Sequence, residues 1–260
     1  MRKLGFLVAL TTVGALLGIA PAAAQTTPAV TAFCDAALKV DRAFNAIGDR
    51  GPTKKQAQAL DRSLSGAEST APPEIAADVQ SIAGIIRSAA QSGQDPFGNP
   101  TFQQNGAAID QYRYNSCGYT QLDVTGIEYA FQGLPKTLPA GKVAIRFTDT
   151  GAELHELQVF RVKGKDSVKK IVGLSEREQR KKGEQLGGTF AMQGETSYAF
   201  VDMSKPGRYG VVCHLPVGST SEEAAEEAGE AHDAKSHAQE GMYATITVER
   251  SGSTTTTAAG

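Results

Sequence analysis

Tryptophan is absent from this chain, and aromatic residues make up only 7% of it. Neither is unusual for a globular protein with an alanine-rich helical part. A basic excess is also missing: 26 Lys and Arg stand against 28 Asp and Glu, a formal charge of −2. A general nucleic-acid binder needs a basic footprint, so that class is set aside. Beyond residue 24 no run is long and apolar enough to span a bilayer. There is no glycine-rich phosphate loop, no Gly-x-Ser-x-Gly elbow and no His-Glu-x-x-His. Those absences exclude the common phosphate-binding, serine-hydrolase and zinc-protease motifs.

What is present begins with Arg2-Lys3, an apolar run from Leu4 to Ala20, and the exit Pro21-Ala-Ala-Ala24-Gln25. A basic start, an apolar middle and a small-residue exit read as a secretory signal over residues 1–24, cleaved after Ala24. Gly5, Gly14 and Gly18 interrupt the run and count against a permanent anchor. No Cys follows the cleavage point, which counts against a lipid anchor. The expected mature chain is therefore extracytoplasmic, secreted or periplasmic (cell-envelope), with no stable membrane insertion. Loss of Arg2 and Lys3 moves its charge from −2 to −4.

Three cysteines in an exported chain is an odd number. If Cys34 and Cys117 pair, they close a segment of about 80 residues, worth roughly 4–5 kcal/mol on the chain-entropy account. Cys213 is then a lone thiol in an oxidising compartment, a group that is either buried or given a metal.

The spacing predicts two domains. After a short Thr/Pro/Ala linker over 25–30, a helical bundle is expected over 30–118. Phe33, Ala37, Val40, Phe44 and Ile47 recur three and four apart on one helix face, and the stretch Gly48–Pro52 ends that helix. Thr53 can cap a second helix from Lys54 to about Ala67. Pro72-Pro73 opens a third, with Ile75, Val79, Ile82, Ile85 and Ile86 as its stripe, and Phe102 to Tyr114 forms a fourth. This part holds no His, and its acids are scattered.

After Gly118 the period changes from about 3.6 to 2. Val143, Ile145 and Phe147 alternate with Lys142, Ala144 and Arg146; further strands are expected over 154–162, 196–203, 208–215 and 243–248. Residues 134–141 read as a turn, 167–185 as a surface helix, and 251–260 as a disordered tail. Short strands with turn signals between them predict a Greek-key β-sandwich over 119–250.

Near its end this half carries Gly207-Arg-Tyr-Gly-Val-Val-Cys213, then His237-Ala-Gln-Glu-Gly-Met242; upstream lies Gly151-Ala-Glu-Leu-His155-Glu-Leu. Soft thiolate and thioether ligands select copper, and two His and one Cys with a weak Met describe a blue-copper centre. The motifs resemble the cupredoxin family of plastocyanin and azurin. The Gly-x-Tyr-x-x-x-Cys strand, the His-x-x-x-Gly-Met ending and His155-Glu156-Leu157 carry that resemblance. It covers the C-terminal half only. It implies one type 1 copper ion on His155, Cys213, His237 and axial Met242, and single-electron transfer with a redox or copper-exchange partner. Multicopper oxidases need several His-x-His pairs and this chain has none, so an enzyme is not expected.

One departure stands out. Between Cys213 and His237 lie 23 residues, against a few in plastocyanin-like proteins. Within them, Ser219 with Glu222 can cap a short surface helix. A ligand loop this long constrains the metal less, so copper binding or delivery without electron transfer is an alternative. A metal-free sandwich with a buried Cys213 is another. His214 directly follows Cys213 and is expected to face away. His232 could replace His237, and Asp233 with His237 has helical ligand spacing. Five Glu and no base fill 222–230, a solvated face or a docking surface for a basic partner.

Overall fold

The structure, a computed structural model, describes residues 27–47, 51–94, 96–230 and 234–250. The expected signal segment 1–24, the tail 251–260, and His232 with Asp233 lie outside the described residues. No described helix is long and apolar enough to cross a membrane.

Four helices come first: α1 (Pro28–Asn45), α2 (Lys54–Thr70), α3 (Ala76–Ser92) and α4 (Pro100–Ser116). Their starts follow local chemistry. Thr27 and Asn99 cap α1 and α4, each with Pro at the first helical position, and Thr53 with Gln56 forms a capping box on α2. Phe33, Ala37, Ala67, Ile75 and Val79 pack together, as do Leu60, Leu64, Ala83 and Ile86. Cys34 and Cys117 form a disulfide that ties α1 to the end of α4.

The second half is a sandwich, with nine strands among the described residues. They are β1 (Thr120–Ile127), β2 (Ala130–Gln132), β3 (Thr137–Pro139), β4 (Gly141–Asp149), β5 (His155–Val162), β6 (Gly183–Ala191), β7 (Thr196–Met203), β8 (Gly207–Val212) and β9 (Tyr243–Glu249). One sheet runs β2-β1-β4-β7 and the other β3-β9-β8-β5-β6. β1 with β4, and β3 with β9, are parallel; the other pairs are antiparallel. The alternation in the sequence is obeyed: Val143, Ile145 and Phe147 face Leu157, Val159, Val211 and Ile246 in one core. Four short helices fill the connections: α5 (Val168–Val172), α6 (Glu176–Lys182), α7 (Glu222–Glu230) and α8 (His237–Glu240).

The halves touch. Leu38 and Tyr114 pack on Ala144 and Phe200, and the Arg113 guanidinium lies 3.7 Å above the Phe200 ring.

Three expectations need correction. Residues 167–185 are not one surface helix. Gly173 and Ser175 split the stretch into α5 and α6, and α5 buries Val168, Ile171 and Val172 against Phe160 and Val212. The chain then enters β6, whose signal was hidden by Gly183, Gly187 and Gly188. The first is required by packing: a Cβ on Gly183 would sit 2.9 Å from the Phe160 ring, and one on Gly210 across the sheet 2.4 Å from it. The turn at 134–141 contains β3, which a pattern of Pro and Lys does not announce because it pairs on an edge. Lastly, α7 is capped by Ser221, whose Oγ accepts from the Ala224 N–H; Ser219 is buried and its hydroxyl donates to the Pro216 carbonyl.

Candidate metal centre

The site forms at one end of the second sheet because three connections are laced together there. β4 ends at Asp149, whose Oδ1 accepts the Gly151 N–H at 2.8 Å and turns the chain toward β5. His155 opens β5. On the neighbouring strand, β8 ends at Val212 and Cys213 follows. The Cys213 N–H donates to the Met242 carbonyl at 3.1 Å, and its carbonyl accepts from the Ala238 N–H at 2.9 Å. His237 donates its N–H to the Leu215 carbonyl at 2.8 Å, and Met242 donates back to the His237 carbonyl at 2.8 Å. The short helix α8 holds this lacing in register through a Ser236–Gln239 capping box.

The result is a convergence of donor atoms. His155 Nδ1 and His237 Nδ1 are 3.0 Å apart, and Cys213 Sγ lies 3.3 Å from His237 Nδ1. The three ligand atoms all fall within 4.8 Å of one another. Met242 is brought against the same backbone, and all four residues are 0% exposed. His214 points away and is exposed, with its N–H on Glu156 Oε1 at 2.7 Å.

A ring of groups that the sequence did not single out surrounds these four. Glu153 Oε2 lies 2.9 Å from His237 Nε2 and also accepts the Gly218 and Ser219 N–H groups, at 2.5 and 3.1 Å. Its other oxygen accepts from the Tyr129 hydroxyl at 3.0 Å. Burial works against the Glu153 carboxylate, yet the Gly218 N–H and His237 outweigh it and hold its pKa below the usual range. An ionised Glu153 is an acceptor for the His237 Nε2 proton, and in the neutral ring that leaves Nδ1 with a free lone pair facing Cys213.

Glu128 stands near the other imidazole, whose buried Nε2 has no hydrogen-bond partner among the described residues. Its Oε1 accepts the Ala152 and Glu153 N–H groups and lies 3.8 Å from His155 Nε2. Burial opposes that carboxylate too, and the two backbone donors keep its pKa low. Gly151 is needed for this approach, since a Cβ there would sit 2.5 Å from Glu128 Oε1 and 2.6 Å from His155 Nε2. Tyr129, beside Glu128 in the β1–β2 turn, has φ 42°, and its ring centroid lies 5.1 Å from that of His237. A strained backbone at a non-glycine residue marks a position held by its surroundings. Of these, only Glu153 had a trace in the sequence, standing two residues before His155.

The donors' own states fit a metal. Burial, then the neighbouring His237, lowers the His155 pKa and keeps its ring neutral. Burial and the Glu156 carboxylate push the free Cys213 thiol up to about 12, against the Glu156 and Leu215 N–H groups. A thiol so placed is inert unless a cation takes its proton's place. Size agrees as well. Bonds of about 2.0 Å to nitrogen and 2.3 Å to sulfur, opened by about 100°, span roughly 3.1–3.3 Å between ligand atoms, close to the 3.0 and 3.3 Å that separate His237 Nδ1 from the other two donors. Two imidazoles, one thiolate and a thioether at hand suit copper better than the harder cations.

No protein-family model and no curated protein matches the chain. Solved structures do. Reduced auracyanin from Roseiflexus castenholzii is 18% identical over 50% of this chain and 97% of its own, with a TM-score of 0.34. A purple cupredoxin from Nitrosopumilus maritimus is 13% identical over 50% of this chain and 99% of its own, with a TM-score of 0.26. The multicopper oxidase McoA from the hyperthermophile Aquifex aeolicus is 17% identical over 51% of this chain and 30% of its own, with a TM-score of 0.29. The likeness to auracyanin and the purple cupredoxin is one of fold and falls on the C-terminal half.

Proposed function

We propose that this cupredoxin-like sandwich binds one copper ion in a type 1 site through His155, Cys213 and His237, with Met242 as the weak axial ligand. The observation that carries the reading is the meeting of His155 Nδ1, Cys213 Sγ and His237 Nδ1 within 4.8 Å, all buried. Bound there, copper would supply a one-electron couple. The chain supplies the rest. β5 and β8 fix His155 and Cys213, α8 fixes His237, and Glu153 sets which nitrogen of His237 is free. Single-electron transfer outside the cytoplasm, without catalysis, is the activity proposed. Its partner would be a redox or copper-exchange protein meeting this end of the sandwich, where Phe190, Met192 and Val217 are exposed.

Copper storage or delivery is the second reading, and one observation favours it. All four donors are 0% exposed, and Glu153, which accepts the Gly218 and Ser219 N–H groups, lies against His237 Nε2. A sealed edge slows exchange with a docked electron partner.

The test is addition of Cu²⁺ to purified residues 25–260, beside a Cys213→Ser control. An intense blue charge-transfer band that vanishes in the control supports the thiolate site and electron transfer. Copper bound with a weak band moves the function to storage or delivery. No binding refutes both and leaves a metal-free sandwich.

A further inference from the structure

The helical half contains a cleft that the metal centre does not use. Its volume is about 320 Å³, and it lies among α1, α2, α3 and α4, floored by Gly187–Gly188 of β6 and by β7. That size is at the lower end of the ~300–1,000 Å³ typical of small-molecule sites, and the space between bundle helices is a common place for them.

The walls are apolar and aromatic: Phe33, Phe44, Phe102 and Phe200 are among them. Phe97, also part of the lining, is 48% exposed, although its ring stands edge-on to Phe44 and Phe102 at 5.7 and 5.5 Å. An exposed aromatic on the wall of an apolar cleft is surface that a ligand would cover.

The polar end is specific. Asp41, Asp110 and Arg113 line it, and the Arg113 side chain is 5% exposed. Arg113 pairs through its terminal nitrogens with Asp41 and Asp110, and its Nε is buried without a hydrogen-bond partner among the described residues. That atom is closed to a water-sized group, so the polar end offers a ligand no free donor. Two carboxylates face one guanidinium, and burial, opposed by Arg113 and helped by Asp41, raises Asp110 to about 7; the end is neutral to negative and offers an entering anion no free positive charge. A peptide is also a poor fit, because its many backbone polar groups would find few partners on these walls.

We propose that the helical half binds a neutral, flat apolar molecule, an aromatic or unsaturated body that the aromatic walls would stack on. The proposal stands independently of copper. It also gives the helical half a task.

Gly106 supplies the test. It lines the cleft from α4, and a Cβ built on it meets nothing within 4 Å. Gly106→Leu therefore fills the cleft while raising helix propensity, so the fold is expected to survive. The probe is Prodan, a neutral naphthalene ketone whose fluorescence reports an apolar site, titrated into the full chain. Saturable binding is expected, weakened about tenfold or more by Gly106→Leu and less by Gly106→Ala. The anionic anilinonaphthalene sulfonate is expected to bind at least about tenfold more weakly than Prodan. Absence of Prodan binding overturns the proposal. So does binding that both Gly106 variants leave unchanged, because the probe then sits elsewhere. Equal or tighter binding of the sulfonate overturns the assignment of a neutral ligand.

Discussion

Glu153 carries more of the metal end than any other single side chain outside the ligand set. One carboxylate accepts from Tyr129, His237, Gly218 and Ser219. It thus joins the β1–β2 turn, a ligand and the long connection between ligands. Hydrogen bonds to a charged group contribute ~1.5–3 kcal/mol each, and leaving their donors buried and unpaired costs more. Glu153→Ala should therefore loosen the cover over His237 and raise the open population about tenfold or more. Cys213 is 0% exposed and reports on that opening. In the metal-free protein its reaction with an aromatic disulfide reagent at fixed pH should accelerate by the same factor, with Glu153→Gln in between. An unchanged rate would mean that the Glu153 contacts do not gate access. Tyr129→Phe removes only the 3.0 Å hydroxyl bond and should lower stability by about 1 kcal/mol in thermal unfolding.

At the level of elements, the four-residue α8 is too short to be stable by itself. It persists because Ser236 Oγ accepts the Gln239 N–H at 3.3 Å while Gln239 Oε1 accepts the Ser236 N–H at 2.8 Å. Ser236→Ala should cost about 1 kcal/mol and free the first turn. Since His237 begins that turn, copper affinity should drop more than global stability does; equal losses would reduce the cap to a purely structural role. Elements also show where a sequence can be read. Helices α1 to α4 announce themselves through apolar spacing, with Thr53 before α2 and Pro72-Pro73 before α3, all local signals; the Asn99 cap and the prolines that begin α1 and α4 were not read as starts. His155, Cys213 and His237 were legible because their order and flanking residues are local too. β6 was not, because Gly183 and Gly187–Gly188 answer to partners far along the chain, Phe160 and Asn45 among them. Glu128 and Tyr129 were invisible for the same reason. Their role exists only once β1 and β4 pair in parallel and bring residue 128 beside residues 151–155.

For the molecule as a whole, the question is how far the two halves depend on each other. The Cys34–Cys117 disulfide spans 83 residues, from within α1 to the end of α4, and encloses no strand. On the chain-entropy account a loop of that length contributes about 4–5 kcal/mol, and all of it belongs to the helical half. The contact between halves is a packed one, with Leu38 and Tyr114 on Ala144 and Phe200, reinforced by ion pairs of Lys142 with Asp35 and Arg42 with Asp202. The metal donors lie at the far ends of β5 and β8 and touch none of those residues directly. Replacing both cysteines, Cys34→Ala with Cys117→Ala, should therefore lower the urea midpoint of helix loss strongly. It should change copper affinity by less than about threefold, because the sandwich keeps its own core. Far-ultraviolet circular dichroism follows the helices and a copper titration follows the site. A large loss of copper affinity alongside the helices would show instead that the sandwich needs the bundle to hold its sheet, and that the two halves fold as one unit.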